Sequence, residues 1–195
     1  MPLGPSRKQQ THDRIVDAAA RALRGTGFAG VGVADIMKQS GLTHGGFYAH
    51  FDSRDALIAE ALERAGQDAR MRMQRELEAG VAKGMSRFRA YVESYLSERH
   101  LAAPEHGCAV AALGSEMPRQ TDDVRKAVLG RVRDLLADVQ AVLPEGSPDE
   151  LAGLVAGQLI GALQIARVLG ANGQGRRHLA AARSFLLEQF DSPEA

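Results

Sequence analysis

The feature that most narrows what this chain can fold into is the period of its apolar residues. They recur at three- and four-residue intervals along nearly the whole length, and no stretch shows convincing alternation at every second residue. Ile15, Ala18, Ala19, Ala22 and Leu23 fall on one face of a helix over 13–24, which Gly25 and Gly27 end. Three short helical pieces follow, about Val33 to Gln39, Thr43 to His50 and one starting at Arg54, separated at Gly41 and at Asp52-Ser53. Leu57, Ile58, Ala61, Leu62 and Ala65 begin a helix running to about Ala79, and Met85, Phe88, Val92, Tyr95 and Leu96 mark another. Val124, Val128, Val132, Leu135, Val139 and Val142 trace a long stripe. A turn at 144–148 leads to two last helices, about 149–169 and 177–190. The pattern predicts an all-α chain with a small N-terminal unit and a larger C-terminal helical bundle.

Composition removes several classes of function. The 195 residues, 45% hydrophobic and 25% charged, are ordinary for a globular chain. The apolar stretch Leu151 to Ala166 is broken by Gly153, Gly157 and Gly161 and falls short of a ~20-residue span, so no transmembrane helix is expected. Met1 to Gln10 lacks the apolar run of a secretory signal, which makes the cytoplasm the expected compartment. A single cysteine, Cys108, excludes an internal disulfide. The six histidines include no i, i+4 pair, so neither metal nor cofactor is expected. GTGFAG at 25–30 matches a dinucleotide fingerprint, but a helix leads into it where a buried strand is required, and that reading is rejected. No nucleophile and base motif stands out, and the chain is read as non-enzymatic. Net charge is zero, yet residues 1–54 hold seven Lys/Arg against four Asp/Glu, a mild polarisation toward a basic N-terminal unit.

The informative segment is Val33 to Phe51. Two short helices joined at Ser40-Gly41-Leu42 have the size of a helix-turn-helix, with Gly41 in the turn and Ile36, Leu42 and Phe47 sealing the angle. Thr43 is placed to cap the second helix through its hydroxyl. Ser53 or Asp52 caps the third, with Asp55 in its first turn. Gly45 and Gly46 each cost ~1 kcal/mol in a helix; they make sense where a side chain would obstruct a sugar-phosphate backbone. Thr43, His44, Gly45, Tyr48, His50 and Arg54 form the candidate DNA-binding set. The residues alone leave open a helical hairpin without a ligand.

A first helix ending in a glycine-rich turn, followed by VADIMKQSGLTHGGFYAHFDSRDALIAEAL, resembles the DNA-binding domain of the TetR family of transcriptional regulators. The resemblance covers about residues 10–65. It implies a three-helix DNA reader, assigned to 1–54 with its N-terminal arm, and a ligand-binding and dimerisation domain over 55–195. It also implies a homodimer on a double-stranded DNA operator and release by a small-molecule inducer. Thr43, His44, Tyr48 and Arg54 fall where the family contacts phosphates and bases. Met37, where a small residue is usual, and His44, where lysine is common, depart from the pattern.

In the C-terminal part, Gly153, Gly157 and Gly161 recur every four residues and make one flat helical strip. The strip either admits a neighbouring helix of the same chain or, as the resemblance favours, forms a subunit interface with apolar area from Leu159, Ile160, Leu163, Phe185 and Leu186. Cys108 lies in PEHGCAVAALGSEM, where a helix N-terminus and His106 would favour its thiolate. It is either a small core hydrophobe or a sensor of electrophiles or oxidants. An inducer pocket is expected from Phe88, Tyr91, Tyr95, Cys108, Leu113, Met117 and Leu135. The expected function is a ligand-responsive repressor; the alternative is a helical protein-interaction bundle without DNA-binding activity.

Overall fold

The computed structural model describes residues 6–191; the outer ends of the two ranges assigned above, 1–54 and 55–195, lie outside them. Among the described residues the α-helices are α1 (Arg7–Thr26), α2 (Val33–Gln39), α3 (Arg54–Val81), α4 (Arg87–Tyr95), α5 (Glu98–Ala102), α6 (Ala109–Leu113), α7 (Asp122–Gln140), α8 (Asp149–Leu169) and α9 (Gly173–Phe190). Short 3-10 turns lie at Phe28–Gly30, His44–Ala49, Pro104–His106 and Met117–Arg119. No strand occurs among the described residues.

Caps decide where the helices begin. Ser6, Ser53, Ser86, Ser97 and Asn172 each accept a backbone N–H of the first turn that would otherwise lack a partner. The helix expected over 13–24 is longer at both ends. The Ser6 cap starts α1 at Arg7, and Gly25 stays helical, so Gly27 alone stops it with a φ of 78°.

Two packed regions share one continuous core. In the first, Ile15, Ala19 and Leu23 of α1 meet Leu57, Ile58, Ala61 and Leu62 of α3 beneath α2. In the second, the later part of α3 packs with α4 and α7, and α8 packs against α7 and α9. The helix α3 belongs to both, beginning at the 54/55 boundary and running 28 residues without a break.

The sequence expectation for α8 needs correction. Its 21 residues are long and apolar enough, by length and composition, to cross a membrane despite the three glycines. Packing accounts for the composition: Val155, Leu159, Leu163 and Ala166 fill the bundle core, while Leu154, Ile165 and Val168 face outward.

Candidate functional site

The reader is built on a tight turn. Gly41 takes a φ of 70°, a conformation that favours glycine, and the Leu42 N–H bonds back to the Met37 carbonyl at 2.9 Å. Ile36, Met37, Phe47 and Phe51 are buried beneath it, and the Phe47 and Phe51 rings stack at 5.5 Å. With the underside pinned, Thr43, His44, Gly45 and Tyr48 are left on the surface. Tyr48 is 72% exposed. A Cβ on Gly45 would meet nothing within 4 Å, so the backbone there is open to close approach.

Three expectations for this segment are corrected. The piece from Thr43 to His50 winds as a 3-10 helix over His44–Ala49. The Thr43 hydroxyl makes no capping bond; its backbone carbonyl accepts the Gly46 N–H at 3.1 Å. Arg54 is not free at the surface, although its side chain is 40% exposed: two of its three guanidinium nitrogens are committed within the subunit. Its Nε donates to the Val31 carbonyl at 2.9 Å and an Nη to the Phe28 carbonyl, so it ties the α1–α2 connection to the start of α3. His50 sits half-buried behind the exposed group, 6.3 Å from the His12 ring, and burial followed by the charges of His12 and Lys8 lowers its pKa.

A cavity of about 290 Å³ lies among α3, α4, α7 and the 97–110 segment. Tyr91, Tyr95, Cys108 and Leu135 of the expected pocket line it. Phe88, Leu113 and Met117 do not: Phe88 turns to Phe190, 6.1 Å away between ring centres, and Leu113 and Met117 are buried outside the cavity wall. Sequence reading missed His100, Arg70, Arg72, Asp134 and Asp138 on the lining. The i, i+4 spacing of Asp134 and Asp138 was a legible signal, since it puts two carboxylates on one helix face; they hold Arg70 at 3.3 and 3.1 Å.

His100 organises the wall around Cys108. Its Nδ1 lies 2.7 Å from the Tyr95 carbonyl, which can only accept, and its Nε2 lies 3.0 Å from the Cys108 N–H, which can only donate. That arrangement fits one neutral tautomer, with the proton on Nδ1. Burial lowers the pKa to about 4, with the charges of Arg167, Arg72 and Arg99 acting in the same direction against the Tyr95 hydrogen bond. The Tyr95 hydroxyl is buried beside the Cys108 thiol without a well-formed hydrogen bond. Burial, and then the thiol, push both the Tyr91 and Tyr95 phenols up. Cys108 itself is part-exposed and precedes a helix of only five residues, too short for the dipole argument, and the His106 ring lies near Glu105 at 3.8 Å.

Arg24 links this wall to the reader. Its side chain is almost fully buried at the end of α1; Nε donates to the Glu105 carbonyl at 2.6 Å and an Nη to the Ala65 carbonyl at 3.1 Å, with Asp68 at 3.7 Å. A second tie runs from the Phe28 N–H to the Glu116 carboxylate at 3.1 Å.

On the outer face of α8, Cβ atoms on Gly153, Gly157 and Gly161 would meet nothing of the described residues within 4 Å, so among these residues no helix packs onto the glycines. With Leu154, Ile165 and Phe185 they line a shallow groove between α8 and α9. Leu159, Leu163 and Leu186 are corrected: they are buried inside the subunit and cannot supply an external face, while Ile160 is half-buried.

Residues 15–61 match the family model described as bacterial regulatory proteins, tetR family. The HTH-type transcriptional regulator Rv0196 of Mycobacterium tuberculosis is 31% identical over 173 residues, covering 82% of this chain and 86% of that protein. The chain belongs to the TetR family. Other relatives include the HTH-type transcriptional repressor NemR of Escherichia coli K12, 24% identical over 139 residues covering 71% of this chain and 70% of NemR. The transcriptional regulator AcuR of Cereibacter sphaeroides is 29% identical over 165 residues, covering 77% of this chain and 74% of AcuR. The fold matches the reduced form of E. coli NemR with a TM-score of 0.76 at 21% identity, over 94% of this chain and 100% of that one. A TetR-family regulator from Agrobacterium tumefaciens matches with the same TM-score at 24% identity, over 94% and 99% of the two chains. As a TetR-family member this chain is a DNA-binding transcriptional regulator, and the reader described above is the part that the family model spans.

Proposed function

We propose that this regulator is a cytoplasmic repressor without enzymatic activity, acting as a homodimer and released from its operator when the cavity at Cys108 is occupied or its thiol modified. The observation that carries ligand response is Arg24: one buried guanidinium on the reader's first helix holds the carbonyl of Glu105, three residues before Cys108. A change in the 104–108 loop therefore alters a bond that orients α1. Exposed Thr43, His44, Gly45 and Tyr48 support the DNA-facing role, and the open strip of Gly153, Gly157 and Gly161 with Phe185 supports the dimer face. Two readers in successive major grooves would lie ~34–36 Å apart.

Genomic fragments retained by the protein at moderate salt provide the operator, and fluorescence anisotropy then gives its affinity before and after treatment with N-ethylmaleimide. Alkylation of Cys108 should release the native protein and leave Cys108→Ser bound. Arg24→Met should still bind DNA and still be alkylated, but respond at least tenfold less. Equal release of Cys108→Ser, or an undiminished response in a folded Arg24→Met, overturns the reading.

A further inference from the structure

The cavity has two chemically different ends. At one, Arg70 is held by Asp134 and Asp138, and Arg131 by Glu63 and Asp134, so the charges compensate one another. At the other, around His100, Cys108 and Tyr95, lie Arg72, Arg99 and Arg167, with Asp68 acting on Arg72 and Glu105 on Arg167 from beyond ion-pair distance. Arg99 is paired with Glu76. Arg72 lines the cavity, donates only to the His106 carbonyl, and has no carboxylate of the described residues within 4 Å. Arg167, behind the wall, donates to the His100 carbonyl at 3.0 Å and likewise lacks an acidic partner at that distance.

The same end holds an unused donor. The Tyr95 hydroxyl is buried with no partner in hydrogen-bonding geometry; the group beside it is the Cys108 thiol, a weak acceptor for which a carboxylate oxygen would be a stronger replacement. His100 cannot serve as an anion-binding donor, because both ring nitrogens are engaged by the backbone. Between the two ends the wall is apolar, with Ala69, Met73, Tyr91 and Leu135. At about 290 Å³ the space is at the small end for ligand pockets.

We propose that the cavity binds a small monocarboxylate, its anionic head between Arg72 and Tyr95 and its apolar body against Met73, Tyr91 and Leu135. A carboxylate satisfies both features at once: it pairs with the guanidinium and accepts the phenol hydrogen. The polar head then lies beside the Cys108 backbone, on the loop that Arg24 holds. The inference rests on the proposed inducer role of the cavity, but binding is measured here without DNA, so the two readings fail separately.

The test is calorimetric titration of the full-length protein with benzoate, phenylacetate and hexanoate, and with their primary amides as neutral isosteres. At least one acid should bind, and bind tenfold or more tightly than its amide. Arg72→Gln should weaken that acid at least tenfold, Arg72→Lys should recover part of the loss, and Tyr95→Phe should weaken it severalfold. Circular dichroism of each variant confirms that it is folded. Absence of binding by all three acids, equal binding of acid and amide, or an Arg72→Gln protein that is folded and unimpaired overturns the proposal. Carboxylate binding without operator release would refute the inducer role and leave this site standing.

Discussion

Acidification should destabilise this protein through His100 in a defined window. The folded pKa is about 4 and the ordinary value 6.5, so the unfolded chain takes up a proton that the folded one refuses. The stability this contributes is fully present above pH 6.5 and is lost as pH falls toward 4, below which the loss levels off. The full shift corresponds to about 3 kcal/mol, and between pH 7.5 and 5.0 about 2 kcal/mol of it is realised. The structural cause is specific: a proton on Nε2 would face the Cys108 N–H, two donors with no acceptor between them. Urea unfolding at both pH values, at one fixed protein concentration so that the proposed dimerisation weighs equally, gives the change for the native protein and for His100→Gln. Glutamine does not titrate, so its pH dependence should be smaller by about 2 kcal/mol. Identical pH dependence in the two proteins would refute the argument that a buried, backbone-locked neutral imidazole resists protonation here.

Two further outcomes follow from geometry. Gly157→Leu should yield a folded monomer by light scattering: the site is open within the subunit, and leucine gains roughly 0.8 kcal/mol of helix propensity over glycine while blocking the strip, so a persistent dimer would count against that interface. Arg54→Ala should lower stability by about 2 kcal/mol, roughly 4–8 °C in Tm, by removing the bonds to Val31 and Phe28, and should leave the salt slope of DNA binding nearly unchanged. A normal Tm with a slope reduced by one phosphate would restore it as a backbone contact.

How much was legible in the sequence depends on whether the information was local. The all-α class, the span of α2 and the limits of α8 followed from periodicity and turn residues, which act over a few positions. The glycine strip was legible because a four-residue repeat on a helix is geometry in itself. Which side of α8 the leucines occupy was not: Leu159 and Leu163 share the helix with the strip but face α7 and the core. The pocket was half legible. Tyr91 and Tyr95 lie four residues apart on α4 and enter the cavity, whereas Phe88, one turn earlier, meets Phe190 from the far end of the chain. The bonds of Arg54 and Arg24 were not legible, because the carbonyls that accept them lie 23 to 81 residues away in sequence.

The 28-residue helix α3 is about 42 Å long at 1.5 Å per residue, with Leu57 and Ile58 beneath the reader and Ala69, Arg72 and Met73 at the cavity. A rod of that length works as a lever. From Leu57 to Arg72 the arm is about 22 Å, so a tilt of only ~5° about the cavity moves the reader end by roughly 2 Å, which in the proposed two-fold dimer is applied twice and in opposite directions. Set against a half-site spacing of ~34–36 Å, such a displacement carries the reading elements out of phase with the grooves. Under the proposed inducer role, ångström-scale adjustment of a side chain at mid-rod is thereby transmitted as loss of register on DNA, without any helix having to bend or unfold.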